Sequence, residues 1–502
     1  MRGEPLNKTC KSVLMLRLCG EVTTKSEGIR NQFNRRLVQN IRDALKRHEI
    51  EGRVFDRWYR IDVETEDRRA LEVATRIFGI QAASWTRAYD WTCLDDVVEI
   101  GEALFSDKVA QKTFAVRTKR AGFRDKIPFT SMDVDRELGT KLVEAGGDVD
   151  LDDHQVRVGI EVREDKAFFF EEELSGVAGL PCGVEGRALA LMSGGFDSAV
   201  AAWSMMRRGV DVDFLFFNLA GPPQERAVKE VTKTLCDRWA FGYTPWLHVV
   251  DLRPMIAEMR AHVDGSYWQL LLKRLMMLGA EQLAEDKGYP ALITGESCGQ
   301  VSSQTLANMA AITAPLRTAV LRPLVGMNKE QIIDQSRQIK TFDICRKIPE
   351  FCALDGGPPI VDGSADKLDA QQQRVDIELL TELVQRRQLS KVEEWSADDA
   401  PSVQIDKIPD GAMILDLRGE VDFERWSFDG AVNMPLERAM DQVGLLPKEP
   451  AYVLYCEVGL KSAFLAESML RMGYEAYSFS GGVSKLKKLE QKQGASASHR
   501  SS

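Results

Sequence analysis

Between Arg187 and Lys347, five short apolar runs, "ALALM", "VDFLFFNL", "LHVVDL", "PALITG" and "VLRPL", alternate with stretches of helical period. No other feature constrains the chain as strongly. Apolar strands joined by helix-length connections close as right-handed crossovers, which predicts a doubly wound parallel sheet with helices on both faces. Such sheets take ligands at the carboxyl ends of their strands. The first run is followed at once by "SGGFDS", Ser193 to Ser198, and then by the amphipathic "AVAAWSMMRRG". Gly194 and Gly195 let the backbone approach a phosphate, the following helix start presents amide dipoles, and Ser193 and Ser198 add hydroxyl donors. Asp197 is suited to hold Mg²⁺. A tight serine- and glycine-rich turn without a ligand is the plainer alternative, and the place behind a buried-type strand favours the phosphate site. No lysine follows at the spacing GxxxxGK[ST], which disfavours a Walker loop.

The chain of 502 residues is too long for one core and predicts several domains, and 44% apolar residues support packed ones. Residues 13–64 read strand, helix, strand, from "VLMLRL" through "IRNQFNRRLVQNIRDALKRH" to "VFDRWYRIDVE". A second α+β unit runs to about residue 172, with "RALEVATRIF" and "SMDVDRELGTKLVEA" as helices and "TFAVRTKR" and "VRVGIEVREDKAFFF" as strands. After the polar stretch "LDGGPPIVDGSADKLDAQQQ" and a helical segment near "IELLTELVQRRQ", a compact α/β unit begins at "AMILDLRG" and closes at "AYSFSGGVSKLKKL". The domain boundaries expected are 1–68, 69–174, 175–352 and 406–488, with a linker over 353–405 and a disordered tail over 489–502.

A formal charge of −10 leaves any nucleic-acid contact to a local basic face. "RTKRAGFRDK" supplies one, with Arg117, Lys119, Arg120, Arg124 and Lys126 around Phe123, and the upstream "QFNRRLVQNIRDALKRH" supplies another. A solvated charged face is the plainer alternative. The nine cysteines form no CxxC pair and no Cys/His cluster of zinc spacing, so no metal site is expected from them and they read as cytosolic thiols. "SVLMLRLCG" is interrupted by Arg17 and lacks a cleavage site, and no run of about twenty apolar residues follows. A cytoplasmic chain with no membrane partner is expected.

Cys456 in "YCEVGLKS" lies between the apolar "AYVLY" and the helical "SAFLAESMLRMG". A thiol at such a junction feels loop amides and a helix amino terminus, both of which favour thiolate, so it can carry sulfur. An inert core cysteine is the alternative.

Two further motifs, "TGESCGQVSSQTLANM" at 294–309 and "LRPLVGMNKEQII" at 321–333, follow apolar strands. Alone, each reads as a capped helix start. Together with S-G-G-x-D-S, the pattern of the PP-loop ATP pyrophosphatases, they make the chain resemble the tRNA 4-thiouridine synthetase (tRNA sulfurtransferase) family over nearly its whole length. The resemblance implies a ferredoxin-like unit, an RNA-binding THUMP domain, a doubly wound PP-loop domain and a rhodanese-like α/β domain. It implies a nucleotide pocket of Leu191, Met192, Ser193, Gly194, Gly195, Ser198, Lys273, Gly295 and Gln304, with Asp197 and Lys329 needed for adenylation. Phe216 and Phe217 are expected to flank adenine, against a plainer role in the core. The loop around Cys456, with "ILDLR" and "GAVNMP", resembles that of rhodaneses. Val458 stands where the family usually places arginine, leaving Lys461 as the only nearby cation. The signature [MI]-P-E-[YF]-C matches "IPEFC" and implies Cys352 as the partner that resolves a Cys456 persulfide through a redox-active disulfide, with Cys345 packed in a helix end.

The implied reaction activates the C4 oxygen of a uridine, uridine 8 of tRNA by resemblance, as an adenylate that sulfur from Cys456 then displaces. ATP and Mg²⁺ are the expected cofactors, and tRNA and a cysteine desulfurase the expected partners. A homodimer is an open expectation, and sulfur supply for the thiamine thiazole is a weaker link. An amide-forming PP-loop ligase and a non-enzymatic RNA-binding sulfur carrier are the alternatives.

Overall fold

The computed structural model describes residues 11–122, 124–219, 221–346, 348, 360–396, 403–457 and 459–498. The chain divides into two compact units: Met1–Gly186 with Met206–Asp211 and Arg238–Tyr243, and Arg187–Met205 with Val212–Asp237 and Thr244–Ser502.

The first unit is built on one sheet of nine strands. These are β1 (Lys11–Leu18), β2 (Arg53–Asp56), β3 (Arg60–Glu64), β4 (Ile80–Asp90), β5 (Thr113–Arg120), β6 (Asp148–Val149), β7 (Val156–Val162), β8 (Lys166–Phe170) and β9 (Glu173–Ser175). Their order is β2-β3-β1-β4-β8-β7-β5-β6, with β9 pairing β4. β4 pairs with β1 on one side and β8 on the other, so the two amino-terminal α+β stretches share a continuous ladder. Helix Glu27–Arg47 has Glu27 in its first turn and Lys46 and Arg47 in its last, matching the helix dipole, and buries Phe33, Leu37, Ile41 and Ala44 at helical spacing. Helices Leu94–Val109 and Ser131–Glu144 cover the other half of the sheet. A Cβ on Gly101 would stand 2.6 Å from Leu138, so glycine lets these two helices approach closely.

The segment "VFDRWYRIDVE", expected as one strand, is the hairpin β2–β3. Asp56 Oδ1 accepts from Trp58 N–H at 2.9 Å and from Asn34 Nδ2 at 3.1 Å, and Trp58 takes φ +70° at the tip. The aspartate thus closes a turn that residue alternation does not reveal.

The second unit carries β10 (Arg187–Leu191), β11 (Asp211–Asn218), β12 (Trp246–Asp251), β13 (Ala291–Ile293), β14 (Ala319–Leu321) and β15 (Gln388–Lys391), in the order β14-β13-β10-β11-β12-β15. β13 runs parallel to β10 and β14, and β12 parallel to β11. From β10 the chain proceeds outward through β11 and β12 and then returns to the other side of β10 as β13 and β14. The crevice outside the carboxyl ends of β10 and β13 is therefore the topological switch point.

The stretch 353–405 is not the linker the sequence suggested. Helices Ala365–Gln372 and Ile377–Gln385 bury Leu368, Leu380, Leu383 and Val384 in the same core as Leu271 and Leu275, and β15 pairs antiparallel with β12. Apolar residues at helical spacing inside a polar composition anchor it. Of this stretch, 353–359 and 397–402 lie outside the described residues.

A five-stranded sheet follows, with β16 (Gln404–Ile405), β17 (Met413–Asp416), β18 (Ala431–Asn433), β19 (Tyr452–Tyr455) and β20 (Ala476–Phe479) in the order β16-β20-β19-β17-β18. All pairings in it are parallel. Its last helix spans Gly482–Ser498, so the backbone expected to be disordered from residue 489 is helical through Ser498. Lys, Glu, Gln and Ala there are good helix formers despite their polarity. Among the described residues no helix is long and apolar enough to cross a membrane.

Candidate active site and basic cavity

The loop "SGGFDS" leaves β10 and enters helix Phe196–Arg207. Gly194 takes φ +82°, a region open to glycine. Ser198 Oγ lies 3.3 Å from the Ser193 amide and 3.1 Å from the Gly195 carbonyl, which closes the loop on itself. A Cβ on Gly194 would stand 2.9 Å from Ile348 and 3.2 Å from Val228. The ring of Phe196 stacks on Phe342 with centroids 5.4 Å apart.

The loop after β13 meets it. A Cβ on Gly295 would stand 2.6 Å from the Asp197 carbonyl carbon and 2.7 Å from the Ser198 nitrogen, so only glycine lets the two strand ends abut. The Asp197 carboxylate is held by Lys329 Nζ at 3.0 and 3.2 Å and by Gln300 Nε2 at 2.9 Å. Lys329 opens helix Lys329–Gln338, whose amino end is fixed by the reciprocal Asn328 and Gln331 capping bonds. Lys273, from helix Trp268–Lys287, donates to Ser303 Oγ at 2.8 Å. Gln304 is buried, and its Oε1 finds no hydrogen-bond partner. Glu296 accepts from Arg322 at 2.6 Å. The structure thus brings Ser193, Gly194, Gly195, Asp197, Ser198, Gly295 and Lys329 together, with a ring of amides and cations facing the switch point. Leu191 is half-buried and Met192 buried at the same strand end.

Phe216 and Phe217 depart from the expected role. Their rings are 1% and 2% exposed, with Phe217 packed 3.2 Å from the position of a Cβ on Gly279. Every residue of β11 is buried, so these rings fill the core and do not flank a base. Gln300 was missed because its motif reads equally as a loop before a capped helix, although its place in "TGESCGQ" was the available signal.

Cys456 follows β19, the middle strand of the five. Its Sγ accepts from the Gly459 amide at 3.2 Å and lies 3.6 Å from Ser462 Oγ. Gly459, at φ +94°, starts helix Leu460–Arg471. A Cβ on Gly482 would stand 2.4 Å from the carbonyl oxygens of Cys456 and Glu457, so glycine there supports the loop from below. The thiol is buried, and Lys461 is exposed. Lys461 is not the only cation near this loop: Arg418, ion-paired with Asp416 at 2.6 Å, also approaches Glu457 at 3.8 Å. Val458 and Cys352 lie outside the described residues. Cys345 ends helix Phe342–Cys345, and burial, reinforced by the negative charge of Asp197, pushes its thiol up to about 12.

In the first unit, Lys119 and Arg120 at the end of β5 line a cavity of about 480 Å³ with Arg17, Tyr59, Arg60 and Arg163. Burial lowers the Lys119 pKa, and the charges of Arg17 and Arg157 lower it further. Burial acts to raise Glu161, but Arg163, Arg60 and Arg17 outweigh it and hold the carboxylate below its ordinary range. Arg117 donates to the Leu151 carbonyl at 2.5 Å and Arg120 to that of Phe129 at 2.7 Å. Arg124 opens a short 3-10 turn, and Phe123 lies outside the described residues. The basic face of helix Glu27–Arg47 is smaller than its sequence suggests, because Arg36 pairs with Asp211 at 3.0 Å and Arg47 with Asp43 at 2.8 Å. Sequence reasoning missed the aromatic edge of the cavity, where Tyr59 stands beside Trp58, 40% exposed, with the Arg30 guanidinium 4.4 Å from the Trp58 ring.

Comparison with known proteins matches four stretches of the chain. The family described as thiamine biosynthesis protein (ThiI) matches residues 183–377, its ferredoxin-like domain 13–84, the THUMP domain 92–170 and the rhodanese-like domain 401–489. A solved 4-thiouridine synthetase in complex with RNA and bound ATP is similar at 26% identity and a TM-score of 0.66, over 76% of this chain and 99% of that one. The fold of PH1313 from Pyrococcus horikoshii is also similar, with a TM-score of 0.52 and 24% identity over 66% of this chain and 99% of that one. The tRNA sulfurtransferase of Desulfurococcus amylolyticus is 34% identical over 94% of this chain and 98% of its own length. That of Pyrobaculum aerophilum is 36% identical over 93% and 96%. With relatives of one activity aligned from the first sheet through the Cys456 domain, the chain belongs to the tRNA sulfurtransferase family.

Proposed function

We propose that this chain thiolates uridine in tRNA to 4-thiouridine, with ATP as the activating substrate. The observation that carries the reading is the meeting of the "SGGFDS" loop and Gly295 at the switch point, with Asp197 clamped between Lys329 and Gln300. Amides of residues 193–195 and the following helix start cradle phosphate, and Lys273 and Lys329 offset charge that develops as the C4 oxygen attacks the α-phosphorus and pyrophosphate leaves. Leu191 and Met192 border the base, and Gln304 has an unpaired acceptor to offer it. Among the described residues no three-ligand metal cluster occurs, yet one carboxylate suffices for a Mg²⁺ that arrives on nucleotide phosphates. Asp197 fits that role, and the ion would offset phosphate charge.

Sulfur comes from a persulfide on Cys456, whose Sγ accepts from the Gly459 amide. Its terminal sulfur attacks C4 and AMP departs. The Cys352 thiolate then attacks Cys456 Sγ, releasing the thiolated base and leaving a disulfide that an external thiol reduces. A cysteine desulfurase recharges Cys456, and the same persulfide is a source for thiamine thiazole, in keeping with the description of the matched family. The basic cavity with its Trp58 and Tyr59 edge supports binding of tRNA by the first unit.

The test is mass spectrometry of nucleosides from tRNA incubated with enzyme, ATP and a sulfur donor, alongside pyrophosphate exchange. ATP-dependent 4-thiouridine is expected, lost in Cys456→Ala while exchange persists. Exchange that depends on a carboxylate substrate in place of tRNA would support the amide ligase instead, and sulfur on Cys456 without exchange would support the carrier.

A further inference from the structure

Glu467, on the helix that starts beside Cys456, meets Arg226 at 2.5 Å. Arg226 lies on helix Pro222–Trp239, which follows β11 of the nucleotide-loop sheet, and both residues belong to the second unit. Two residues beyond Arg226, Val228 lies 3.2 Å from the position a Cβ on Gly194 would take. One helix therefore touches the phosphate-type loop and, through Arg226, the helix anchored at the sulfur-bearing cysteine. The neighbouring cation Lys229 is already paired with Glu225 on its own helix at 2.7 Å, so Arg226 is the charge turned toward Glu467. The side chains of the pair are 25% and 10% exposed. A pair so shielded is screened less than a solvated one, and reversing either charge sets like charges against each other.

We propose that Arg226 and Glu467 are the docking pair that seats the rhodanese-like domain on the PP-loop domain and fixes the direction from which Cys456 delivers sulfur. Glu467 is the eighth residue of its helix, about 10 Å along the axis from the first, so it positions the carrier without touching the reacting sulfur. The inference rests on the reading of Cys456 as sulfur carrier given above.

The test uses the full chain with tRNA, ATP, a cysteine desulfurase and ³⁵S-cysteine, reading pyrophosphate exchange, label on Cys456, and single-turnover formation of thiolated tRNA. Arg226→Glu and Glu467→Arg should each slow transfer about tenfold, equivalent to about 1.4 kcal/mol. Pyrophosphate exchange and Cys456 labelling should stay at the parental level, and the double reversal should recover most of the rate. Parental transfer in the single variants, or no recovery in a folded double variant, overturns the proposal. If the reversals also lose pyrophosphate exchange, Glu467→Gln decides: slowed transfer with intact exchange supports the pair, and parental transfer refutes it. Absence of label on Cys456 in the parental chain instead overturns the sulfur-carrier reading, and the docking role with it.

Discussion

Lys329 Nζ stands 3.0 Å from Oδ1 and 3.2 Å from Oδ2 of Asp197, although 132 positions separate the two in sequence. The pairing joins the loop after β10 to the helix that follows β14, across the switch point of the sheet. Each residue alone has an ordinary explanation, as a loop acid or a solvated helix-start lysine. Held together beside a φ +82° glycine, they are the charged floor of the phosphate site proposed above.

Asp197→Ala should therefore abolish pyrophosphate exchange, and Lys329→Ala should reduce it by about 10²-fold or more, the scale on which one preorganised electrostatic group contributes to a transition state. Affinity for tRNA should stay close to parental, because the basic cavity is built from other residues of the first unit. Filter binding with tRNA checks the second statement. Normal exchange in Asp197→Ala would remove the loop from the chemistry.

Gly295 tests the same floor without altering charge. A methyl group there would overlap backbone atoms of Asp197 and Ser198 at 2.6 and 2.7 Å, and backbone cannot rotate aside. Gly295→Ala should displace the loop by some tenths of an ångström and lower exchange by about 10²-fold, as small misplacements of reacting groups do. The first unit's tRNA affinity should be unchanged. Exchange at the parental rate would show that the two loops need not abut.

Much of this was legible in the sequence, and the exceptions have physical causes. Ser193–Ser198, Gly295 and Lys329 announce themselves because a phosphate site needs backbone-permissive residues at strand ends, and those motifs are local. The clamp on Asp197 by Gln300 is long-range, and no local pattern encodes it. Aromatic residues at a strand end read equally as base platforms or core, and only the burial of Phe216 and Phe217 decides for core. The 353–405 stretch was expected as a linker although "IELLTELVQRRQ" reads as helical, because no local pattern shows that Leu368, Leu380 and Leu383 dock on helix Trp268–Lys287 and its core. In the basic segments, the sequence counts charges but not partners, so Arg36 and Arg47 looked free for RNA when they are engaged in ion pairs.

Reversing Arg117, Lys119 and Arg120 to glutamate should weaken tRNA binding and flatten its dependence on salt. Each phosphate that is no longer neutralised lowers the slope of log K against log salt by roughly 0.7 to 0.9. Titrations between roughly 50 and 200 mM salt, the range over which counterion release is read, measure it. An unchanged slope would take this face out of the RNA site.

The last prediction concerns stability and pH. His248 on β12 is 2% exposed, and burial, followed by the charges of Arg387 and Lys287 against that of Asp286, lowers its pKa from 6.5 to about 4. Its Nδ1 lies 3.3 Å from Arg387 Nε, which fixes the ring as an acceptor that must stay neutral. The unfolded chain binds a proton near pH 6.5 that the folded chain refuses until about pH 4, so between these values the unfolded state holds more protons. The contribution of a neutral His248 is thus fully present above pH 6.5 and is lost as pH falls toward 4, to a total of roughly 3 kcal/mol. His248→Asn keeps an acceptor for Arg387 but cannot titrate. Its stability deficit against the parental chain should be largest at neutral pH and shrink steadily as pH is lowered to about 4.5, as read from urea unfolding at each pH. A deficit constant across that window would mean that His248 does not titrate as its burial requires.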